Sequence, residues 1–191
     1  MNETITYYNQ NAEEYFNKTV NVSMQESYDQ FEAYLKPGDK ILDLGCGSGR
    51  DSRYFLSKGY DVVPVDGSAE MCRVASEYLG IPVQQKLFSE IEYREEFDGI
   101  WACASLLHVP KVQIRDVMEK VSRALKEQGV LYASFKYGDD EKTVDGRLFS
   151  LYNETDLEWI SDLGLIEYWI TDDVRTEHVG AKWLNTLWRK V

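Results

Sequence analysis

Cysteine is scarce in this chain, and the three present, Cys46, Cys72 and Cys103, fall at unrelated spacings with no C-x-x-C pair. An odd, scattered set excludes a disulfide framework and supplies no paired thiolates for zinc or redox chemistry. Long apolar runs are missing too. Nothing approaches the roughly 20 residues of a membrane-spanning helix, and the opening Met1-Asn2-Glu3-Thr4-Ile5 lacks the basic start and apolar stretch of a secretory leader. Basic residues are outnumbered, 21 Lys and Arg against 33 Asp and Glu, giving a net charge of −12. Such a surface repels nucleic-acid backbones and anionic membrane. The expectation is a cytoplasmic protein with a small-molecule substrate, no membrane partner, nucleic acid disfavoured, and a monomeric or homodimeric state.

What is present suits a folded domain. The 191 residues, 43% apolar and 13% aromatic, are enough for the core of one domain. Residues 2–35 carry helical periodicity, with Tyr8, Ala12, Tyr15 and Phe16 near one face, and predict one or two helices. Strands are expected at Lys40–Leu44, Asp61–Val65, Pro82–Lys86, Phe97–Ala102 and Val130–Phe135, separated by helices at Arg50–Ser57, from a Ser68 cap to Tyr78, and at Lys111–Leu125. Beyond them, a helix is expected at Glu154–Leu163 and two strands at Leu165–Thr171 and Lys182–Arg189. Tyr137–Arg147, polar and charged with two glycines, reads as a mobile loop. Alternating βα units followed by two adjacent strands predict an α/β fold: a doubly wound, Rossmann-like, seven-stranded sheet, mostly parallel with an antiparallel last strand, and helices on both faces.

The most informative stretch is Lys40-Ile-Leu-Asp-Leu-Gly-Cys-Gly-Ser-Gly-Arg50. A short apolar strand reaches an acid, Asp43, and then Gly45, Gly47 and Gly49 open a helix. Glycines let backbone approach a ligand closely, and the helix start offers free N–H groups. A dinucleotide fingerprint needs its last glycine at position 50, which is Arg50, so nicotinamide and flavin dinucleotides are disfavoured. A second apolar strand ends at Asp66, 23 positions after Asp43. This acid followed by G-x-G-x-G resembles motif I of the class I S-adenosylmethionine-dependent methyltransferases, and the resemblance extends over roughly residues 30 to 136. Gly49-Arg50-Asp51 is similar to a Gly-Arg-Asn/Asp segment of the compact tellurite-resistance and thiopurine-type group.

The resemblance implies a cofactor, S-adenosylmethionine, with S-adenosylhomocysteine as product, and assigns its contacts. Asp43, Gly45, Cys46 and Gly47 lie against the methionyl portion. Asp66 takes the ribose hydroxyls beside Gly67. Met71 packs on adenine, Leu87 and Phe88 hold adenine through backbone, and Cys103 stands past the fourth strand where a carbonyl meets the ammonium. Arg50 is placed either on the cofactor carboxylate or on the surface. The same resemblance makes residues 1–191 a single domain, with an N-terminal helical lid (1–36), a cofactor-binding half (37–136) and a C-terminal substrate-side half (137–191).

For chemistry, His108 in Ala-Ser-Leu-Leu-His-Val-Pro is the candidate general base, or else a histidine that packs and bonds locally. Tyr8 and Tyr15 are candidate lid residues over the acceptor, and Lys136 and Arg175 candidate positive charges at the pocket mouth. His178 reads as a solvated loop residue. No metal site is legible. Ala104-Ser105-Leu106-Leu107 replaces the Asn/Asp-Pro-Pro-aromatic segment of amino-methylating nucleic-acid enzymes, and no cysteine follows a proline as in cytosine C5 enzymes. The expected activity is methyl transfer to a small molecule. The alternatives are a protein or tRNA methyltransferase and a non-catalytic module that only binds the cofactor.

Overall fold

The computed structural model describes residues 3–173 and 180–191; Arg175 and His178 lie outside the described residues. Strands β1 (Lys40–Leu44), β2 (Asp61–Asp66), β3 (Gln84–Gln85), β4 (Phe97–Ala102), β5 (Leu125–Lys136), β8 (Gly164–Asp172) and β9 (Lys182–Arg189) form one sheet in the order β3-β2-β1-β4-β5-β9-β8. The first five run parallel. The last strand of the chain, β9, is antiparallel to both β5 and β8. This is the expected doubly wound sheet.

Burial on both faces explains the near-continuous apolar character of the central strands. Successive residues alternate between two cores. Leu42, Ile100 and Leu131 join α6 (Ile114–Ala124). Ile41, Trp101 and Tyr132 join α3 (Gln25–Glu32) and α4 (Arg50–Ser57) in an aromatic cluster with Tyr28, Phe31 and Phe55. Trp101 and Tyr132 stack at 3.9 Å. Helix α5 (Ala69–Leu79) starts where Ser68 accepts a hydrogen bond from the Met71 N–H at 3.1 Å and stops at Gly80 with φ 73°, a left-handed conformation that glycine adopts without strain.

Several sequence expectations are corrected. The N-terminal region forms three short helices, α1 (Glu3–Gln10), α2 (Ala12–Thr19) and α3, where one or two were expected. The third strand shrinks to two residues at the sheet edge, where only Gln84 and Gln85 reach β2 in register. The C-terminal helix is a 3-10 turn, Glu154–Asp156, followed by a four-residue helix α7 (Leu157–Ile160), which ends as Ser161 turns extended. The largest difference lies at Tyr137–Arg147, read as a loop. It contains β6 (Glu141–Val144), which pairs antiparallel with β7 (Arg147–Ser150). The connecting Asp145-Gly146 has positive φ at both positions, 52° and 77°, the backbone a two-residue hairpin turn requires. Among the described residues, no helix is long and apolar enough to cross a membrane.

Candidate functional site

The sheet order reverses direction between β1 and β4, and the carboxyl ends of β1, β2 and β4 open there into a cleft, the place where doubly wound sheets hold ligands. The β1–α4 turn lines it. Gly45, Gly47 and Gly49 have φ of 80°, 52° and 79°. At Gly45 the crowding is decisive: a Cβ there falls 2.5 Å from Ser105 Cβ. Ser105 is fixed by donating its hydroxyl to the Leu44 carbonyl at 2.6 Å. Gly67, past β2, is less confined: its Cβ position lies 2.8 Å from the flexible Cδ1 end of Ile5 of α1.

Asp66 is clamped at the end of β2. Its Oδ2 accepts the Gly47 N–H at 3.0 Å and its Oδ1 the Ser68 N–H at 2.8 Å. Burial raises its pKa, and these backbone donors oppose the rise. The two N–H groups hold the carboxylate facing the cleft while leaving lone pairs for further donors.

Beneath the glycine turn lies a second charged layer. Asp43 is buried and accepts the Ser52 hydroxyl at 2.5 Å. Its carboxyl is pushed up to about 8, chiefly by burial and next by the neighbouring Asp51. Asp51 is a hub. It accepts Arg50 Nε at 2.6 Å and Nη2 at 2.8 Å, the Tyr28 hydroxyl at 2.5 Å and Trp101 Nε1 at 2.9 Å. Burial alone would raise this carboxyl, but the Arg50 guanidinium and the two other donor side chains, Tyr28 and Trp101, hold it below its usual value. Arg50 also approaches Cys103 Sγ at 3.5 Å, and burial pushes that thiol up to about 12.

At the other end of the cleft, Tyr8 on α1, His108 on a 3-10 turn after β4, and Leu148 of β7 form a chain. His108 Nδ1 lies 2.6 Å from the Leu148 carbonyl, which can only accept, so Nδ1 carries the proton. The lone pair of Nε2 then receives the Tyr8 hydroxyl at 2.8 Å. Burial lowers the His108 pKa to about 4 and keeps the ring neutral. Burial likewise raises the Tyr8 hydroxyl well above its ordinary value, so it stays protonated. Tyr15 packs edge-on against Tyr8 at 5.1 Å. The hairpin is tied over this end because the Leu148 N–H donates to Thr4 Oγ1 at 3.0 Å. The cleft continues as a single chamber of about 880 Å³.

All the described candidate residues except Asp43 line this chamber: Gly45, Cys46, Gly47, Arg50, Asp66, Gly67, Met71, Leu87, Phe88, Cys103, Tyr8, Tyr15, His108 and Lys136. Asp43 sits directly behind it. The Leu87 N–H is already donated to Glu90 at 2.8 Å, so Leu87 offers the chamber its side chain. Met71 is fully buried and packs on Ala12 and Val74. Sequence reasoning missed Asp51 as a hub, although Gly49-Arg50-Asp51 was visible. It also missed the hairpin residues Lys142, Arg147 and Phe149, whose signal was the Asp-Gly pair between β-compatible runs. Among the described residues, no His, Cys, Asp and Glu cluster could hold a metal ion.

A sheet of this order, with a glycine turn after β1 and an acid ending β2, is the Rossmann-like fold that methyltransferases share. Residues 41–129 match the family described as a methyltransferase domain. YqeM of Bacillus subtilis (strain 168), a methyltransferase by name, is 34% identical over 129 residues, covering 59% of this chain. The chain spans 51% of that relative's length. Among solved structures, the 1,6-didemethyltoxoflavin-N1-methyltransferase of Burkholderia thailandensis, crystallised with S-adenosylhomocysteine, superposes with a TM-score of 0.81 at 20% identity, covering 99% of this chain and 88% of that one. A TehB-like S-adenosylmethionine-dependent methyltransferase of Corynebacterium glutamicum gives 0.73 at 18% identity, with 97% and 99% coverage. Over residues 41–129 the chain is thus similar to the methyltransferase-domain family, and its fold is that of the S-adenosylmethionine-dependent methyltransferases among the solved structures.

Proposed function

We propose that the protein transfers a methyl group from S-adenosylmethionine to a small molecule held in the outer half of the chamber. The observation that carries this reading is the continuity of one open space, about 880 Å³, from the glycine turn to the Tyr8–His108 pair. A non-catalytic binding module would have its acceptor half filled by side chains. The acidic surface favours a small molecule over tRNA, and the three cysteines, none in a disulfide, suit a cytoplasmic setting.

The residues fit the cofactor. Gly45 and Gly67 line the chamber with bare backbone, and the clamped Asp66 carboxylate suits two vicinal hydroxyls. Asp43, behind the glycine turn and protonated in the cofactor-free protein, would ionise to face a bound ammonium, and Arg50, held by Asp51, presents its guanidinium edge to a carboxylate. Phe88 and Leu87 flank the adenine end. Residues 1–36 act as the lid, 37–136 as the cofactor half and 137–191 as the acceptor half.

The bound cofactor supplies an activated methyl group on a good leaving group, so the protein's tasks are alignment and exclusion of water. Tyr8 and Tyr15 cover the transfer site, where aromatic faces stabilise positive charge. His108 acts as a positioning residue. Its basic nitrogen is occupied by the Tyr8 hydroxyl, so it fixes the tyrosine and leaves no free lone pair for the acceptor. The test is a screen of small acceptors with S-adenosylmethionine, reading S-adenosylhomocysteine release. Tyr8→Phe should slow release about tenfold while cofactor affinity stays within about twofold. Equal loss of both would make Tyr8 a structural residue only.

A further inference from the structure

We propose that the acceptor carries an anionic group, a carboxylate or a phosphate, and that Arg147 receives it with Lys142 beside it. The inference rests on the methyl-transfer reading of the same chamber. In the β6–β7 hairpin, Val144 pairs with Arg147 and Lys142 with Phe149. Side chains alternate along a strand, so these four share one face of the hairpin, and all four line the chamber. The roof of the acceptor half is therefore cationic and aromatic.

Arg147 is built for a ligand. Its guanidinium carbon lies 4.2 Å from the Tyr7 ring centroid and 5.2 Å from that of Phe149. The rings support its planar group, and the guanidinium also hydrogen-bonds to the Tyr8 side chain. Its Nε is buried with no hydrogen-bond partner, and a buried donor left without an acceptor is costly. Asp145, the acid it meets, stands 3.8 Å away on a side chain that is 74% exposed, beyond direct hydrogen bonding. Asp172 and Asp173 also line the chamber, yet among the described residues the ion pair of Arg147 is with Asp145 alone. Lys136 extends the positive edge, its ammonium 4.5 Å from the Phe149 ring. In a chain of net charge −12, a cationic roof over one chamber is a local exception that attracts anions where the rest of the surface repels them. A guanidinium fork matches a carboxylate or a phosphate through paired N–H donors, and an oxyanion there supplies the acceptor that Nε lacks.

The test uses the full chain saturated with S-adenosylhomocysteine and titrated calorimetrically with benzoate, phenyl phosphate and the uncharged benzamide. At least one anion should bind and benzamide should bind at least about tenfold more weakly. Benzoate binding identifies a carboxylate acceptor, phenyl phosphate binding a phosphate. Arg147→Gln should weaken the anion about tenfold or more and Arg147→Lys by less, with the affinity for S-adenosylhomocysteine within about twofold in both as the check that the fold and cofactor half survive. Benzamide binding as tightly as the anions, no anion binding, or unchanged anion affinity in both variants would overturn the inference and leave the methyl-transfer reading standing. Failure of the wild-type chain to bind S-adenosylhomocysteine would overturn both.

Discussion

Asp51→Asn tests whether the charged layer under the glycine turn is held by one carboxylate. The substitution keeps the shape but removes the charge that neutralises Arg50 and replaces one acceptor oxygen with an NH2 group. That group faces N–H and O–H donors from Arg50, Tyr28 or Trp101. Breaking a buried ion pair by removing one partner costs about 3–5 kcal/mol. Arg50 keeps 17% of its side-chain surface exposed, so water recovers part of that cost and about 3 kcal/mol is the working figure. In a chain of this size, that lowers Tm by roughly 6–12 °C. Urea denaturation of the wild type, Asp51→Asn, Arg50→Gln and the double variant closes the cycle. The double variant should be less destabilised than the sum of the singles, since neither charge is then stranded. A loss below about 1 kcal/mol for Asp51→Asn, or strict additivity, would refute the hub.

Two further expectations follow from the same buried groups. The folded pKa of Asp43, about 8, lies above its unfolded value, so its contribution to stability is full in acid and is lost as pH rises through about 8. Tm of the cofactor-free protein should therefore fall between pH 6 and 9, and Asp43→Asn should flatten that slope; parallel slopes for the two proteins would contradict the assignment. For His108, with a folded pKa of about 4, NMR should find a neutral ring protonated on Nδ1 down to about pH 5, and a titration at pH 6 to 7 would show that the Tyr8–His108–Leu148 chain does not hold the ring as described.

Much of the sheet was legible because its central strands are buried on both faces and therefore nearly all apolar. Lys40–Leu44 and Phe97–Ala102 are found at the expected bounds. The glycine turn was legible for a different reason: left-handed backbone and a 2.5 Å approach to Ser105 leave few residue types able to occupy it. The hairpin was harder to see. Its β6 strand is exposed throughout and polar but for Val144, so it lacks apolar periodicity, and only Asp145-Gly146 marked it. The short third strand was overread because Pro82 and Val83 are apolar yet do not reach the register of β2. The tertiary partners of Arg50, Asp51 and Arg147 depend on elements brought together from distant parts of the chain, so residue type could nominate these side chains but could not give their contacts.

The central claim, that this cleft binds S-adenosylmethionine through the clamped carboxylate at the end of β2, is tested most directly by isothermal titration of the purified chain with S-adenosylmethionine and S-adenosylhomocysteine, repeated with Asp66→Ala. The account predicts binding on the order of micromolar by the wild type, weakened at least about tenfold by the loss of two charge-assisted hydrogen bonds. Absence of binding by the wild type, or equal affinity in Asp66→Ala, would contradict it.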